Sequence, residues 1–485
     1  MNGFILILYS YALFSVSSQV SRLEIEEAKL RNVIASRSLN EYLDHDVDPC
    51  DNFYKFSCGK WIKTQQEIYG NGKDIIMDNG QINFNKFVKE FEEGKLNNQS
   101  KAINKIYNLR RQCNKLPEAE ITKCQSEIFK FGKYALGVVF INNIRLRSLK
   151  TGEYNKIEDM AARIKEELRL RINEKKDIFD EETRNNFLFK LDKMKFIKAP
   201  VFQNSSYVER MEFCYGNITR EFQSKPIQYF LNLSRNLKES SFKDSKYWNL
   251  CIDELLTADD FISSDVYNNA AYYYEKNYFS INADSLNEPS FSLYYPMSLN
   301  YGYLGFTIGH EISHAFDNQE YNRTLEGDNI NKFNVTQISV KNLEEKIKCF
   351  VEQYGMQKES ITNININGIL TLTENIVDNS GLKLAHRAYM KWLQSNGGKD
   401  IEVPGFEKFT NEQLFFIGYG RNFCGYRSKD RLEEQIDTDE HTPSEIRTNA
   451  ALSNYKPFSN AFNCPVNSKM NPEDKCELWK IQNKI

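Results

Sequence analysis

Apolar residues recur at three- and four-residue intervals over long stretches of this chain. Ile82, Phe84, Phe87, Val88 and Phe91 mark one stripe, Ile103, Ile106 and Tyr107 a second, and Ile157, Met160, Ala161, Ile164, Leu168 and Ile172 a third. Side chains at that spacing share one face of a helix, so these segments are predicted as helices whose stripes are packing surface. Tyr278 to Asn282 alternates instead and is β-prone, which predicts a short strand. Two later runs are again helix-like. The first, 301–317, carries Ile308, Ile312, Ala315 and Phe316; the second, 370–392, carries Ile376, Val377, Leu382, Leu384 and Ala385. The pattern predicts a mainly α protein with a small β component, without internal repeats or low-complexity linkers.

The polar residues inside those two late runs change the picture. Tyr301 to Asp317, YGYLGFTIGHEISHAFD, is predicted as one continuous helix with His310, Glu311 and His314 on it. Imidazoles four positions apart lie one above the other, so both reach a single zinc ion. Glu311, one position after the first histidine, sits beside the metal, where it accepts a proton from water. A polar helix face that binds nothing has the same spacing, so a third ligand decides. Glu374 follows His314 by sixty residues and would complete a His2Glu set with one position left for water. Asp378, four residues on, then lies one turn behind it, placed to hydrogen-bond a ligand imidazole. The alternative for this acidic pair is a solvated face, against which stands its apolar company.

Composition bounds the setting. At 485 residues the chain has room for one or two domains, and a net charge of −3 with no long basic stripe argues against nucleic acid as a partner. Residues 3–16, GFILILYSYALFSV, are too short an apolar run to span a bilayer comfortably, and Val16 and Ser18 suit cleavage before Gln19. We read residues 1–18 as a signal peptide, so that no stable membrane span is expected after cleavage. Ten cysteines between Cys50 and Cys476 fit an oxidising destination. So do sequons at Asn98, Asn204, Asn217, Asn232, Asn322 and Asn334.

GHEISHAFD at 309–317 and ENIVD at 374–378 resemble the neprilysin and endothelin-converting-enzyme family of zinc metalloendopeptidases. The resemblance extends to CDNFYKFSCGKW (50–61), NLRRQC (108–113), INAD (281–284), LFFIGYGRNFCGYR (414–427), DEHTPSEIR (439–447) and MNPEDKCELW (470–479). It implies a thermolysin-like zincin (gluzincin) catalytic lobe stabilised by disulfides, and one zinc per chain held by His310, His314 and Glu374. The domain would run from 40 to 485, with a mainly helical part at 40–250 and the zinc-binding part at 251–485. Position by position, the resemblance pairs Cys50 with Cys464, Cys58 with Cys424, Cys113 with Cys124 and Cys349 with Cys476. Cys214 and Cys251 match no family cysteine and are left to pair with each other. His441 would donate a hydrogen bond to the oxyanion of the tetrahedral intermediate, with Asp439 fixing its ring. Arg447 would bind a substrate carbonyl or carboxylate, and Asn282 and Ala283 would hold a substrate strand. Asp378 is a proton donor in some descriptions of the family; its place behind the ligands favours the steadying role. Of the other histidines, His386 is expected to pack or cap within its helix, and His45, in the acidic turn DHDVD, has no evident role.

The departures from the family are as informative. Its members carry a large helical lobe between the cysteines matching Cys113 and Cys124, a lobe that covers the cavity and limits the peptides admitted. Here ten residues, 114–123, stand in its place. Asn282 and Ala283 precede Asp284 and Ser285, where the family has an aromatic pair, and the stretch 296–300 is shorter than the family's loop. Relatives are often anchored by a longer membrane helix after a cytoplasmic tail; with no such tail here, secretion is expected, and an uncleaved anchor is the alternative. The expected function is a secreted zinc metalloendopeptidase acting on extracellular peptides or proteins with Glu311 as general base. The alternative is a weak or inactive relative that acts by binding peptides or partner proteins.

Overall fold

The computed structural model describes residues 33–70, 72–198, 206–220, 225–235, 251, 253, 255, 257–322 and 335–478. The expected signal peptide and the sequons Asn204 and Asn334 lie outside them. The described chain is mainly helical with a few short strands, as the periodicity predicts. It divides into two compact units, one comprising Met1–Ile76, Phe291–Phe306 and Lys348–Glu477, the other Met77–Ser290, Thr307–Ile347 and Leu478–Ile485. No helix among the described residues is long and apolar enough to cross a membrane.

In the second of these units the predicted stripes are core. The Ile82–Glu92 helix buries Phe84, Phe87 and Phe91, Lys101–Cys113 buries Ile103 and Ile106, and Glu153–Glu174 buries all six residues of the third stripe. Ser100 caps the second of these by accepting from the Ile103 N–H. Cys113 ends that helix and Cys124 lies in the first turns of the next, Glu118–Thr151, so their disulfide staples a tight helical hairpin where the larger lobe was expected to be lost. Gly152, at φ 71, takes the left-handed conformation that stops the 34-residue helix and lets Glu153–Glu174 begin at once. The predicted strand is Tyr278–Ile281, antiparallel to Ala270–Tyr273 (Ala270 opposite Ile281) and parallel to Lys195–Phe196 (Lys195 opposite Tyr278).

The first-named unit is built on aromatic packing. Phe53 from the Phe53–Tyr69 helix meets Phe458 and Phe462 edge-on at ring separations of 4.8 and 5.1 Å, and Phe416 from the Asn411–Asn422 helix meets Phe458 at 5.4 Å. His386 packs there as expected: it stacks on Phe416, and its Nδ1 lies 2.9 Å from the Tyr455 hydroxyl. Gly302 is a real close approach, since a Cβ there would lie 2.1 Å from the Phe415 carbonyl oxygen. Cys50–Cys464, Cys58–Cys424 and Cys349–Cys476 form in this unit as the resemblance implies, and Cys214–Cys251 forms in the other. The first two close loops of 414 and 366 residues, removing a few kcal/mol each of unfolded-chain entropy in the simple model.

Asp284, where the family has an aromatic, is wholly buried. Its Oδ1 accepts from Asn83 Nδ2 at 3.0 Å and Asn287 Nδ2 at 2.6 Å, while Oδ2 has no hydrogen-bond partner. Burial, opposed by those two bonds and the nearby Arg147, pushes the carboxyl up to about 7. A carboxyl that binds its proton more tightly folded than unfolded stabilises the fold at low pH. That contribution is lost as pH rises from about 4 towards the folded value. Asp284→Asn, which keeps the acceptor oxygen, is therefore expected to be more stable than the native chain above neutrality. It should also flatten the fall in stability across that window, as read by denaturant titration at a series of pH values.

Candidate metal centre

The Phe306–His314 helix continues from a short Met297–Asn300 helix and a π-helical turn, Tyr301–Gly305. It stops at His314, so the expectation of one helix through Asp317 is corrected. Residues 315–317 form a turn because their polar groups find partners elsewhere: Lys190 Nζ donates to the Ala315 carbonyl at 2.7 Å, and Asp317 Oδ1 accepts from the Gln319 and Glu320 N–H groups, each at 2.8 Å. The turn brings Asp317 Oδ2 to 2.9 Å from His314 Nδ1. That contact fixes the ring and leaves its Nε2 for a ligand, 3.2 Å from Nε2 of His310. His310 and Glu311 are each only 7% exposed. A Glu one position after the first histidine is thus as buried as that histidine, while His314 is half-buried.

Glu374 and Asp378 lie in the first turns of the Leu372–Ser395 helix and are buried, Asp378 completely. Arg447, from the Ser444–Ser453 helix, donates through Nε and Nη2 to the two oxygens of Asp378, both at 2.7 Å, and its Nη2 lies 3.8 Å from Glu374 Oε2. Burial works against the guanidinium's charge, but the Asp378 carboxylate outweighs it and holds the pKa above the ordinary arginine value. The segment between, 439–443, turns so that His441 Nε2 is 3.1 Å from Glu374 Oε2 and Nδ1 is 2.9 Å from Asp439 Oδ1. Gln435 Nε2 donates to the His441 carbonyl at 3.1 Å. Partial desolvation disfavours the charged imidazole, yet the bonds to Asp439 and Glu374 prevail and push it up to about 9; the same contact holds the Asp439 carboxyl below its usual range.

Among the described residues, His310, His314 and Glu374 form a group in which one ligand atom of each lies within 4.8 Å of the others. Two imidazoles and a carboxylate, with His310 and Glu374 buried and His314 half-buried, are a donor set that fits zinc with one coordination position to spare. Asn282 and Ala283 follow the Tyr278–Ile281 strand, both buried, and the Asn282 amide donates to the Tyr267 carbonyl at 3.0 Å. Sequence reasoning gave no role to Asp317, though its place three residues after His314 is a helix-face signal. It also missed that Arg447 and Asp378 pair, for which residues 69 positions apart give no local sign.

The fold is mainly helical with a small β component, stapled by five disulfides among the described residues, and carries a His2Glu donor set. Residues 269–478 match the model of peptidase family M13. Neprilysin-1 of Caenorhabditis elegans is 36% identical over 304 residues, 62% of this chain and 39% of that protein. The chain thus spans well under two thirds of the length of the neprilysins it matches. Among solved structures, the open state of the zinc metalloprotease ZMP1 of Mycobacterium tuberculosis shares the fold at a TM-score of 0.52 and 23% identity, covering 74% of this chain and 52% of that one. A chain of the Haemonchus galactose-containing glycoprotein complex, 17% identical, is alike over 93% of this chain and 99% of its own, with a TM-score of 0.63.

Arg447→Met would leave the Asp378 carboxylate buried and unpaired, a loss of about 3–5 kcal/mol in stability. Adding Asp378→Asn to it is expected to restore part of that loss in urea unfolding; a double variant no more stable than Arg447→Met would mean that the pair is not what the carboxylate requires.

Proposed function

We propose that this protein is a neprilysin-like zinc metalloendopeptidase that hydrolyses peptide bonds in extracellular peptides or proteins. The observation that carries the reading is the convergence of His310, His314 and Glu374 ligand atoms within 4.8 Å, with Glu311 between the two histidines in sequence. Zinc, when held by these three, supplies Lewis-acid polarisation of the scissile carbonyl and a water acidic enough to attack it. Glu311 takes the proton of that water and returns it to the leaving amine. His441, its ring held through Nδ1 by Asp439, donates to the developing oxyanion. Asp378 orients Arg447, which engages it through Nε and Nη2 and keeps Nη1 for an acceptor on the substrate. Asn282 and Ala283 align the substrate strand.

The helical hairpin closed by Cys113–Cys124 stands where family members carry a roof, so larger substrates gain access while short peptides find fewer walls to bind. Five disulfides, with exposed sequons at Asn98 and Asn232 and half-buried ones at Asn217 and Asn322, support secretion and glycosylation.

The purified protein is expected to carry one zinc per chain and to cleave fluorogenic peptides until the ion is removed by a chelator. Glu311→Gln should retain the zinc and lose about 10²–10⁴-fold in kcat. A Glu311→Gln variant with native turnover would remove Glu311 from the mechanism, and a native protein purified without zinc would end the metallopeptidase reading.

A further inference from the structure

Lys190 is a buried lysine outside the metal-binding motif. It belongs to the Glu181–Lys193 helix, far from the metal-binding motif in sequence, and is 1% exposed. An ammonium group taken out of water is costly unless its N–H groups are all but fully engaged. Here Nζ donates to the carbonyls of Ala315 and Glu320, both at 2.7 Å, and lies 5.6 Å from the centre of the Phe316 ring. Ala315 and Glu320 are the two ends of the turn that follows the Phe306–His314 helix. One cation therefore clamps both ends of a six-residue segment whose middle carries Asp317.

The clamp has a consequence for His314. Asp317 reaches Nδ1 of His314 from within the turn, where Asp317 Oδ1 is tied to the N–H groups of Gln319 and Glu320. Asp317 is itself 1% exposed, so its carboxylate has no room to find water instead. With both ends of the turn held, the carboxylate stays where it keeps the imidazole in the tautomer and rotation that present Nε2 beside His310.

We infer that Lys190 is a positioning residue for the metal centre, acting through the 315–320 turn and Asp317 on the orientation of His314. This rests on the metal site proposed above. Its effect is on metal affinity and ligand geometry: loss of a group that orients a ligand from behind costs roughly 10–100-fold in affinity. Phe187 supplies the control, since it packs edge-on against Phe316 at 5.2 Å on the same wall without a polar contact to the turn.

The test compares the native chain with Lys190→Met, Lys190→Arg, Asp317→Asn and Phe187→Leu. Zinc affinity is measured by competition with a chromophoric chelator, the visible spectrum is recorded after cobalt substitution, and thermal unfolding is followed with the metal removed. Lys190→Met is expected to weaken zinc by about 10–100-fold and to alter the cobalt bands. Lys190→Arg should recover part of the loss, and Phe187→Leu should lower the melting temperature with affinity nearly unchanged. Combined with Asp317→Asn, Lys190→Met should add little further, because both act on one contact. Native zinc affinity in Lys190→Met, fully additive losses in the double variant, or an equal loss in Phe187→Leu would each overturn the assignment. If Lys190→Met does not fold, Lys190→Gln takes its place in the same cycle and is judged by the same outcomes. A native chain that binds no zinc would fail the metal site itself, a result distinct from all of these.

Discussion

A buried carboxylate and a half-buried guanidinium, those of Asp378 and Arg447, hold the rest of the candidate site in register. Their paired contacts, both 2.7 Å, join the Leu372–Ser395 helix to the Ser444–Ser453 helix. Glu374 lies one turn before Asp378, and His441 lies six residues before Arg447. Setting the carboxylate against the guanidinium thus also sets Glu374 against His441. A charge pair so placed contributes little net stability against an apolar replacement, but it is intolerant of losing one partner, which makes it a strict gauge of geometry.

The histidine side obeys a related economy. One chain of polar contacts runs behind His314, from His314 to Asp317, to the turn N–H groups, with the turn's carbonyls held by Lys190 on a separate helix. Buried polar chains of this sort work only when complete, since an unsatisfied member costs more than its bond returns. Disulfides set the larger frame. The bridges from Cys50 and Cys58 return the last hundred residues to the Phe53–Tyr69 helix, which carries the aromatic cluster of Phe53, Phe458 and Phe462.

Asp284 is the counterexample that shows how local such completeness is. Its carboxyl is as buried as Asp378 but meets two amides instead of a guanidinium, so it takes up a proton near neutrality. The two carboxyls are alike in burial and differ in their partners.

Much of this was legible in the residues themselves. Helical periodicity depends only on local spacing, and most residues of the stripes from Ile82 to Ile172 are core as read, with Ile82, Val88 and Tyr107 half-buried. The two histidines four apart, the strand at Tyr278–Ile281 and the packing of His386 were legible for the same reason. The pairing of cysteines came by likeness to a family. What tertiary structure decided was where chain segments far apart meet: that the metal-motif helix stops at His314, that Asp317 turns back onto it, that Lys190 clamps the turn, and that Arg447 binds Asp378. Periodicity carries no information about such meetings, because a hydrogen bond between residues 69 or 125 positions apart leaves no pattern in either neighbourhood.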